Sequence, residues 1–131
     1  MQGVSGQSYR DPIVWQKAVD LVESVYRATH EWPKDELYGL TNQVRRAVVS
    51  IPSNIAEGQG RHNNKEFLRF MSIANGSLHE VETQLVISQR LSYSDETTCN
   101  ALFSQTTEVG RLLHGLMRRL QSPTPSPSSD Y

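Results

Sequence analysis

The chain has 131 residues with 37% hydrophobic composition, which supports one domain with a single core and excludes two. Thirteen Lys and Arg residues against 14 Asp and Glu residues give a formal net charge of -1, which excludes a basic field over the whole chain that would draw it onto nucleic acid. The single Cys99 excludes an internal disulfide and a thiolate zinc framework. The polar start MQGVSGQSYRDP and the lack of a run of about 18 apolar residues predict a soluble cytoplasmic protein without a membrane span.

The first helix is predicted to follow residues 1–10, whose small polar composition is typical of a flexible N-terminus. Asp11 and Pro12 indicate a helix start, because aspartate caps free amides and proline lacks the amide hydrogen that the first helical position leaves unused. The helix is expected to end near His30 or Glu31, ahead of Pro33. Residues at intervals of three and four are predicted to form its buried stripe: Val14, Ala18, Leu21, Val22, Val25 and Tyr26.

The second helix is predicted to carry a proline in its interior, because its apolar spacing continues on both sides of Pro52. Pro52 cannot donate to the carbonyl of Val48 and its ring crowds that oxygen, which costs about 3 kcal/mol in an ordinary helix interior. We therefore predict a kinked helix in which polar side chains bond to freed backbone groups, namely Ser50, Ser53 and Asn54. The buried stripe that offsets the cost is Leu40, Val44, Ala47, Val48, Ile51 and Ile55.

A third helix is predicted to begin after a glycine turn. Gly58-Gln59-Gly60 is expected to end the second helix, since glycine accepts the left-handed conformation of a C-cap. Asn63 and Glu66 have the spacing of a capping box. Gly76 weakens the middle of the third helix, and we interpret it as a point of close approach to another helix. The inner face is predicted to carry Phe67, Phe70, Met71, Ala74, Leu78, Val81, Leu85 and Ser88.

A fourth helix is predicted after LSYSDE, with Ser94 or Asp95 as its N-cap. Its inner face is predicted to carry Cys99, Leu102, Phe103, Thr106, Val109, Leu113, Leu116 and Leu120. Residues 122–131, SPTPSPSSDY, are predicted to be a disordered Pro/Ser-rich tail. The sequence therefore predicts an all-α protein in which residues 11–121 form an antiparallel up-down-up-down four-helix bundle.

The motifs of common catalytic and cofactor sites are missing from the sequence. The glycine turn has Asn63 where a dinucleotide motif has its third glycine, and a helix is predicted before it where a strand is required. Ser50 and Ser53 lack the glycine-flanked elbow of a serine nucleophile. No Glu-x-x-His occurs, which is the motif by which helical bundles bind paired irons. We therefore expect no catalytic residue, no metal and no cofactor, and a protein that is not an enzyme.

Basic residues form local clusters that are candidate contacts for a partner or a nucleic acid: Arg45, Arg46, Arg61, Lys65, Arg111, Arg118 and Arg119. Arg111, His114 and Arg118 have the spacing of one helix face, which would grip phosphates in a salt-dependent way. Aromatic residues for base stacking are not interleaved with these clusters. In a chain without basic excess, the favoured interpretation is a solvated outer face or salt bridges between subunits.

Three segments carry a family resemblance: VWQKAVDLVESVYRAT, WPKDELYGLTNQVRRAVVSIPSNIAEGQGR and KEFLRFMSIANGSLHEVETQL. Over about residues 11–120, the chain closely resembles the four-helix-bundle proteins encoded in intervening sequences of bacterial large-subunit ribosomal RNA genes. The most specific pattern is GL-x-x-Q-x-RR-A-x-x-SIP-x-NIAEG, from Gly39 to Gly58.

The resemblance implies an antiparallel bundle that assembles as a homopentameric ring, and it implies no catalytic residue. The family is also similar to the accessory variability protein of diversity-generating retroelements, a strongly basic pentamer that binds its reverse transcriptase and nucleic acid. We interpret the matching residues as setting the kink, the helix end and a polar network at a subunit interface. These residues are Arg45, Arg46, Ser50, Pro52, Asn54, Glu57, Gly58 and Arg61.

The sequence thus predicts a cytoplasmic, non-enzymatic scaffold or adapter that assembles with copies of itself and serves a protein or nucleoprotein partner. The alternative is an RNA-binding protein for structured ribosomal RNA, in which the ring makes phosphate contacts multivalent. Those contacts would be Arg45, Arg46, Arg111, Arg118 and Arg119.

Overall fold

The computed structural model describes residues 13–121, which form four α-helices joined by short connections. The helices are α1, Ile13–Thr29; α2, Leu40–Gln59; α3, Asn64–Arg90; and α4, Glu96–Gln121, with a short 3-10 helix, Lys34–Glu36, before α2. These described residues contain no strand, and the all-α prediction is confirmed. The predicted flexible N-terminus, the start at Asp11-Pro12 and the predicted tail 122–131 lie outside the described residues.

Each helix packs against two others, because α1 and α3 both contact α2 and α4. The four apolar stripes therefore meet in one shared core. Burying a side chain such as Leu or Ile stabilises a fold by about 1.5–3 kcal/mol, so this core is the main source of stability. Its largest fully buried members are Leu21, Ile51, Ile55, Met71, Leu78 and Leu113.

The predicted buried stripe of α1 is wrong at Tyr26, which is 42% exposed. Its ring lies under the guanidinium of Arg45, with 4.6 Å between the guanidinium carbon and the ring centroid. Thr29 is buried instead, one turn after Val25, and its hydroxyl donates to the carbonyl of Val25 at 2.8 Å. A short polar side chain that bonds to its own helix thus takes the buried position that we assigned to an aromatic one.

Pro52 lies inside α2 and is buried together with Ile51 and Ile55. The helix is assigned as continuous from Leu40 to Gln59, which confirms that the apolar stripe passes through the proline. The kink itself stays a prediction. Burial of the two isoleucines on either side supplies the packing energy that offsets the hydrogen bond lost at Pro52.

The segment Gly58-Gln59-Gly60 ends α2 as predicted, but the predicted left-handed C-cap is wrong. The helix continues to Gln59, and Gly60 follows with φ -88° and ψ 2°, which is not the left-handed conformation of the predicted C-cap. Gly58 is buried against α3: a Cβ at this position would lie 2.8 Å from Met71 Cε and 2.9 Å from Phe70 Cβ. Gly58 is therefore the residue that lets α2 and α3 approach each other closely.

The predicted close approach at Gly76 is also wrong. No atom of the described chain, apart from its immediate surroundings in the helix, lies within 4 Å of the position that a Cβ of Gly76 would take. The same kind of approach occurs instead at Gly110 of α4, where a Cβ would lie 3.3 Å from Leu78 Cδ2. Gly76 lies on the exposed side of α3, so nothing inside the described chain accounts for a glycine there.

Two predicted N-caps are confirmed. The side chain of Asn63 accepts a hydrogen bond from the amide of Glu66 at 2.9 Å, and that of Asp95 accepts one from the amide of Thr98 at 2.8 Å. The bond to Thr98 is the largest cause that lowers the pKa of Asp95. Each cap satisfies one of the free amides at a helix start and fixes where α3 and α4 begin.

The connection before α2 and the connection before α4 are fastened to each other by four side chains, which we call the Glu36 clasp: Trp32, Glu36, Tyr93 and Ser94. Trp32 Nε1 donates to Ser94 Oγ at 2.9 Å, and the Tyr93 hydroxyl donates to Glu36 Oε2 at 2.6 Å. The hydrogen bond from Tyr93 lowers the pKa of Glu36, and the same bond raises the pKa of Tyr93. These contacts place both connections at the same end of the molecule.

Candidate functional site

Five polar residues of the family pattern lie on one outer stripe of α2, whereas Arg45 of the same pattern contacts α1. Gln43, Arg46 and Glu57 are exposed, and Ser50 and Asn54 are half-buried. Their spacing of three and four places them on one side of the helix, while the apolar residues of the pattern face the core. The pattern thus combines an interior packing surface with an outward polar surface.

Ser50 and Asn54 connect this stripe to α3. The hydroxyl oxygens of Ser50 and Ser77 are 2.8 Å apart, and Asn54 Nδ2 donates to the carbonyl of Ser50 at 2.8 Å and to its hydroxyl at 3.0 Å. Asn54 therefore bonds to backbone near the proline, but at the carbonyl of Ser50 and not at the carbonyl of Val48, which is the group that Pro52 frees. Ser53 does not bond to backbone, because it is exposed and its hydroxyl has no hydrogen-bond partner among residues 13–121.

A shallow groove opens beside this network, with a volume of about 360 Å³ and with both charge signs on its walls. We call it the α2–α3 groove and include with it the adjoining exposed residues Ile73 and Gly76. Within the described part of the chain, neither Arg46 nor Glu80 forms an ion pair. Ile73 is 42% exposed and lies one turn from Gly76. The residues that line the groove itself are Asn42, Gln43, Arg46, Ala47, Ser50, Ser77 and Glu80.

Arg45 is engaged within the chain. Its Nε donates to Thr29 Oγ1 at 2.8 Å, and its guanidinium covers the ring of Tyr26. Arg45 is half-buried, whereas its neighbour Arg46 is exposed on the groove side. The two arginines that the sequence places in one cluster therefore face different surroundings, and Arg45 fastens α2 to α1.

Arg61 and Lys65 lie around the turn between α2 and α3. Arg61 forms an ion pair with Glu57, and its guanidinium lies 4.7 Å from the ring centroid of Phe70. A second pair joins Glu66 and Arg69 at 3.3 Å. Exposed pairs of this kind contribute less than about 1 kcal/mol. Lys65 is exposed, and no described side chain pairs with it.

Three arginines of α4 come together around Gly115, in what we call the arginine groove. Arg111, Arg118 and Arg119 line it, together with apolar residues of α1 and α4, and its volume is about 280 Å³. His114, which the sequence places on the same helix face, is exposed and is not among the lining residues. Of the seven basic residues selected from the sequence, these three are the ones that share a concave surface.

A groove of about 640 Å³ lies between α1 and α4, and no sequence pattern predicts it. It lies beside the Glu36 clasp, and its walls include Ser24, Ala28, Thr98 and Leu102. Tyr93 and Ser94 line the groove and also belong to the clasp. The two residues of each hydrogen-bonded pair in the clasp are more than 50 residues apart along the chain. Such distant pairings cannot be read from local spacing.

Within residues 13–121, no group of His, Cys, Asp and Glu side chains has the arrangement of a metal site. Cys99 is buried, and burial raises the pKa of its thiol, which keeps it in the less reactive protonated form. None of the four helices in this range is both long and apolar enough to cross a bilayer. The described features are those of an all-α protein whose outer surface offers polar and basic grooves.

The chain belongs to the 23S rRNA-intervening sequence protein family, whose model matches residues 10–115. This confirms the family that the sequence motifs predict. The similarity to the retroelement accessory protein stays a prediction. In a search of curated proteins, no sequence matches this chain.

A similar solved structure is a protein of unknown function from the S23 ribosomal protein family of Bacteroides thetaiotaomicron VPI-5482, whose crystal structure was determined at 1.70 Å resolution. The two share 20% sequence identity with a TM-score of 0.73, over 80% of this chain and 98% of the other. At this identity, the similarity shows that the two proteins share a fold.

Proposed function

We propose that the protein is a non-enzymatic, cytoplasmic scaffold or adapter that assembles with copies of itself and serves a protein or nucleoprotein partner. We further propose that the assembly is a homopentameric ring of antiparallel four-helix bundles, with the α2–α3 groove as a contact between neighbouring copies. The family resemblance supports the ring. The Glu36 clasp supports the antiparallel order, because it joins the connection between α1 and α2 to the connection between α3 and α4.

The observation that carries the proposal is Gly76. A glycine inside a helix costs about 0.5–1 kcal/mol relative to alanine, and at Gly58 the close packing of α2 on α3 accounts for it. At Gly76 the described chain leaves open space. A neighbouring copy that packs against α3 would use that space, because the missing side chain lets a second backbone approach.

The surroundings of Gly76 fit such a contact. Ile73 offers partly exposed apolar surface, and Arg46 and Glu80 offer charges of opposite sign that have no ion-pair partner within residues 13–121. In a ring, one surface of each subunit meets a different surface of the next, so the groove need not be complementary to itself. The bend that we predict at Pro52 would shape α2 for this curved contact.

Native mass spectrometry of protein isolated gently from cells without nuclease tests the proposal, since one spectrum reports both subunit number and bound material. We expect a pentamer with a bound protein partner. That partner should stay bound when the isolated sample is afterwards treated with nuclease. A monomer would contradict the scaffold proposal. A spectrum of the same protein after denaturation gives the subunit mass, and the native mass is compared with it.

The alternative function is RNA binding, in which the ring presents several basic surfaces to structured ribosomal RNA. The convergence of Arg111, Arg118 and Arg119 in one groove favours it. A pentamer that carries nuclease-sensitive nucleotide mass, with an affinity for RNA that falls steeply with salt, would favour this alternative over the adapter.

A further inference from the structure

We propose that the arginine groove is a binding site for a phosphate group. The groove lies between the start of α1 and the C-terminal half of α4. Its charged walls are Arg111, Arg118 and Arg119, and Val14 and Leu116 belong to its apolar walls. Packing of α1 against α4 does not by itself require three arginines on this surface.

Two guanidinium groups of the groove lie over Gly115. A Cβ at this position would lie 3.9 Å from Arg118 Nη2 and 3.9 Å from Arg119 Nη1, so both side chains turn back over the glycine. Arg111 lies one helical turn before Gly115 and lines the same groove. Since Gly115 has no side chain, no side chain at this position fills the space beside these two guanidinium groups.

The electrostatics of the groove favour an anion. No Asp or Glu of the described chain lines it, and within residues 13–121 neither Arg111 nor Arg119 has an ion-pair partner. The positive charges of Arg111 and Arg119 therefore attract an anion to the groove. Phosphate suits a site with several arginines, because the planar guanidinium fork matches two oxygens at once and a phosphate offers more acceptor oxygens than the two of a carboxylate.

A purely structural role explains only part of the cluster. Arg118 and Arg119 lie in the last turn of α4, where positive charge interacts favourably with the helix dipole. Arg111 lies more than two turns before the end of α4 at Gln121, beyond the reach of that effect. Its presence on the same groove is therefore the part of the cluster that indicates a ligand.

The phosphate has two sources with the same chemistry, the backbone of an RNA strand and a free phosphate compound. The first source deepens the RNA-binding alternative given above and rests on it, whereas the second does not. Two probes separate them: a ten-nucleotide RNA labelled with fluorescein, and inorganic phosphate at constant ionic strength. Fluorescence anisotropy follows the RNA, and the Nε–Hε resonances of the arginines in NMR spectra follow inorganic phosphate.

The variant that tests the site is Arg111→Gln, with Arg90→Gln as its matched control. Arg90 is exposed in the last turn of α3 and is not part of the groove, so both variants remove one positive charge from a helix surface. We expect saturable binding of at least one probe by the unmutated protein. Arg111→Gln should weaken that binding about tenfold or more, because a hydrogen bond to a charged group is lost, and Arg90→Gln should change it less than twofold.

A second variant, Gly115→Glu, places a carboxylate among the three guanidinium groups. It should abolish binding, whereas Gly115→Gln, which has the same shape without the charge, should retain more of it. Binding of both probes with these losses supports the site and an RNA source, and binding of phosphate alone supports a free phosphate compound. Binding of neither probe, or equal losses in Arg111→Gln and Arg90→Gln, overturns the proposal.

The outcome is separate from the test of assembly. A pentamer without saturable phosphate binding would remove the phosphate site and leave the scaffold proposal standing. A monomer with saturable, Arg111-dependent phosphate binding would do the reverse.

Discussion

Two glycines within α2 and α3 lie in opposite surroundings. Gly58 is on the inner side of this helix pair, and Gly76 is on its outer side. Gly58 faces the neighbouring helix, where a Cβ would come within 3.0 Å of both Met71 and Phe70. Gly76 faces open space beside the bond between Ser50 and Ser77. Gly58 thus marks a close approach within the chain, and at Gly76 we propose that the approaching surface belongs to a neighbouring copy.

The largest effect is expected at the inner side. Gly58→Ala should lower the free energy of unfolding by about 1–3 kcal/mol, because the added methyl group overpacks the contact with α3. Urea unfolding measures the change. The matched control is Gly60→Ala, where a Cβ would meet only backbone oxygens at ordinary distances of 3.7 and 3.9 Å. Equal effects in the two variants would contradict the close approach at Gly58.

The hydrogen bond between Ser50 and Ser77 is expected to have a smaller effect. A double-mutant cycle with Ser50→Ala, Ser77→Ala and the double variant should give a coupling of about 0.5–1.5 kcal/mol in the free energy of unfolding. Ser53→Ala is the control, because the hydroxyl of Ser53 is exposed and has no described partner. A coupling of zero would mean that the outer side of the pair is not fastened by this bond.

Replacing Pro52 tests whether the predicted bend shapes α2. Pro52→Ala should leave the helix content by circular dichroism unchanged, since the apolar stripe packs on both sides of the proline. It should change the stability or the assembly state if the bend shapes α2 for a ring contact. A variant that matches the unmutated protein in both respects would remove the shaping role.

At the outer side, Gly76→Ala should stabilise the isolated chain by up to about 1 kcal/mol, because alanine favours the helix and its methyl group meets no atom within 4 Å. Urea unfolding at a concentration where the chain is monomeric measures this change. A destabilised monomer would show that the space beside Gly76 is occupied within the chain.

The Glu36 clasp, which lies away from Gly58 and Gly76, should make the stability of the fold depend on pH. The pKa of Tyr93 is raised above 10.0 by its bond to Glu36, so this stabilisation is complete below pH 10.0 and is lost as the pH rises through the folded-state pKa. The pKa of Glu36 is lowered below 4.5, chiefly by the same bond, so its contribution is lost as the pH falls through that lower value. The urea midpoint should fall less at both pH extremes in Tyr93→Phe than in the unmutated protein. Identical profiles would contradict the clasp.

Much of the fold could be predicted because helix periodicity and caps are local. The stripe through Pro52 and the caps at Asn63 and Asp95 follow from residues within one or two turns. The Glu36 clasp could not be predicted, because Trp32 and Ser94 are 62 residues apart and only the packed chain brings them together. The environment of Gly76 was misread for a related reason: spacing identifies the glycine but not the surface opposite it.

The candidate sites were predicted as residue types and not as surfaces. Seven basic residues were selected from the sequence, and the structure divides them by their contacts. Arg45 and Arg61 are engaged within the chain, while Arg111 and its two neighbours share a groove. Charge and spacing alone could not separate an arginine that covers Tyr26 from one that lines an open groove.

Sedimentation velocity of Gly76→Arg beside the unmutated chain tests the proposed contact between copies at the α2–α3 groove. Ser104→Arg is the control, since it adds the same side chain at an exposed position of α4. We predict a pentamer for the unmutated chain and for Ser104→Arg, and a monomer for Gly76→Arg. A pentamer in all three would contradict the α2–α3 groove as the contact between copies, and a monomeric unmutated chain would contradict the assembly itself.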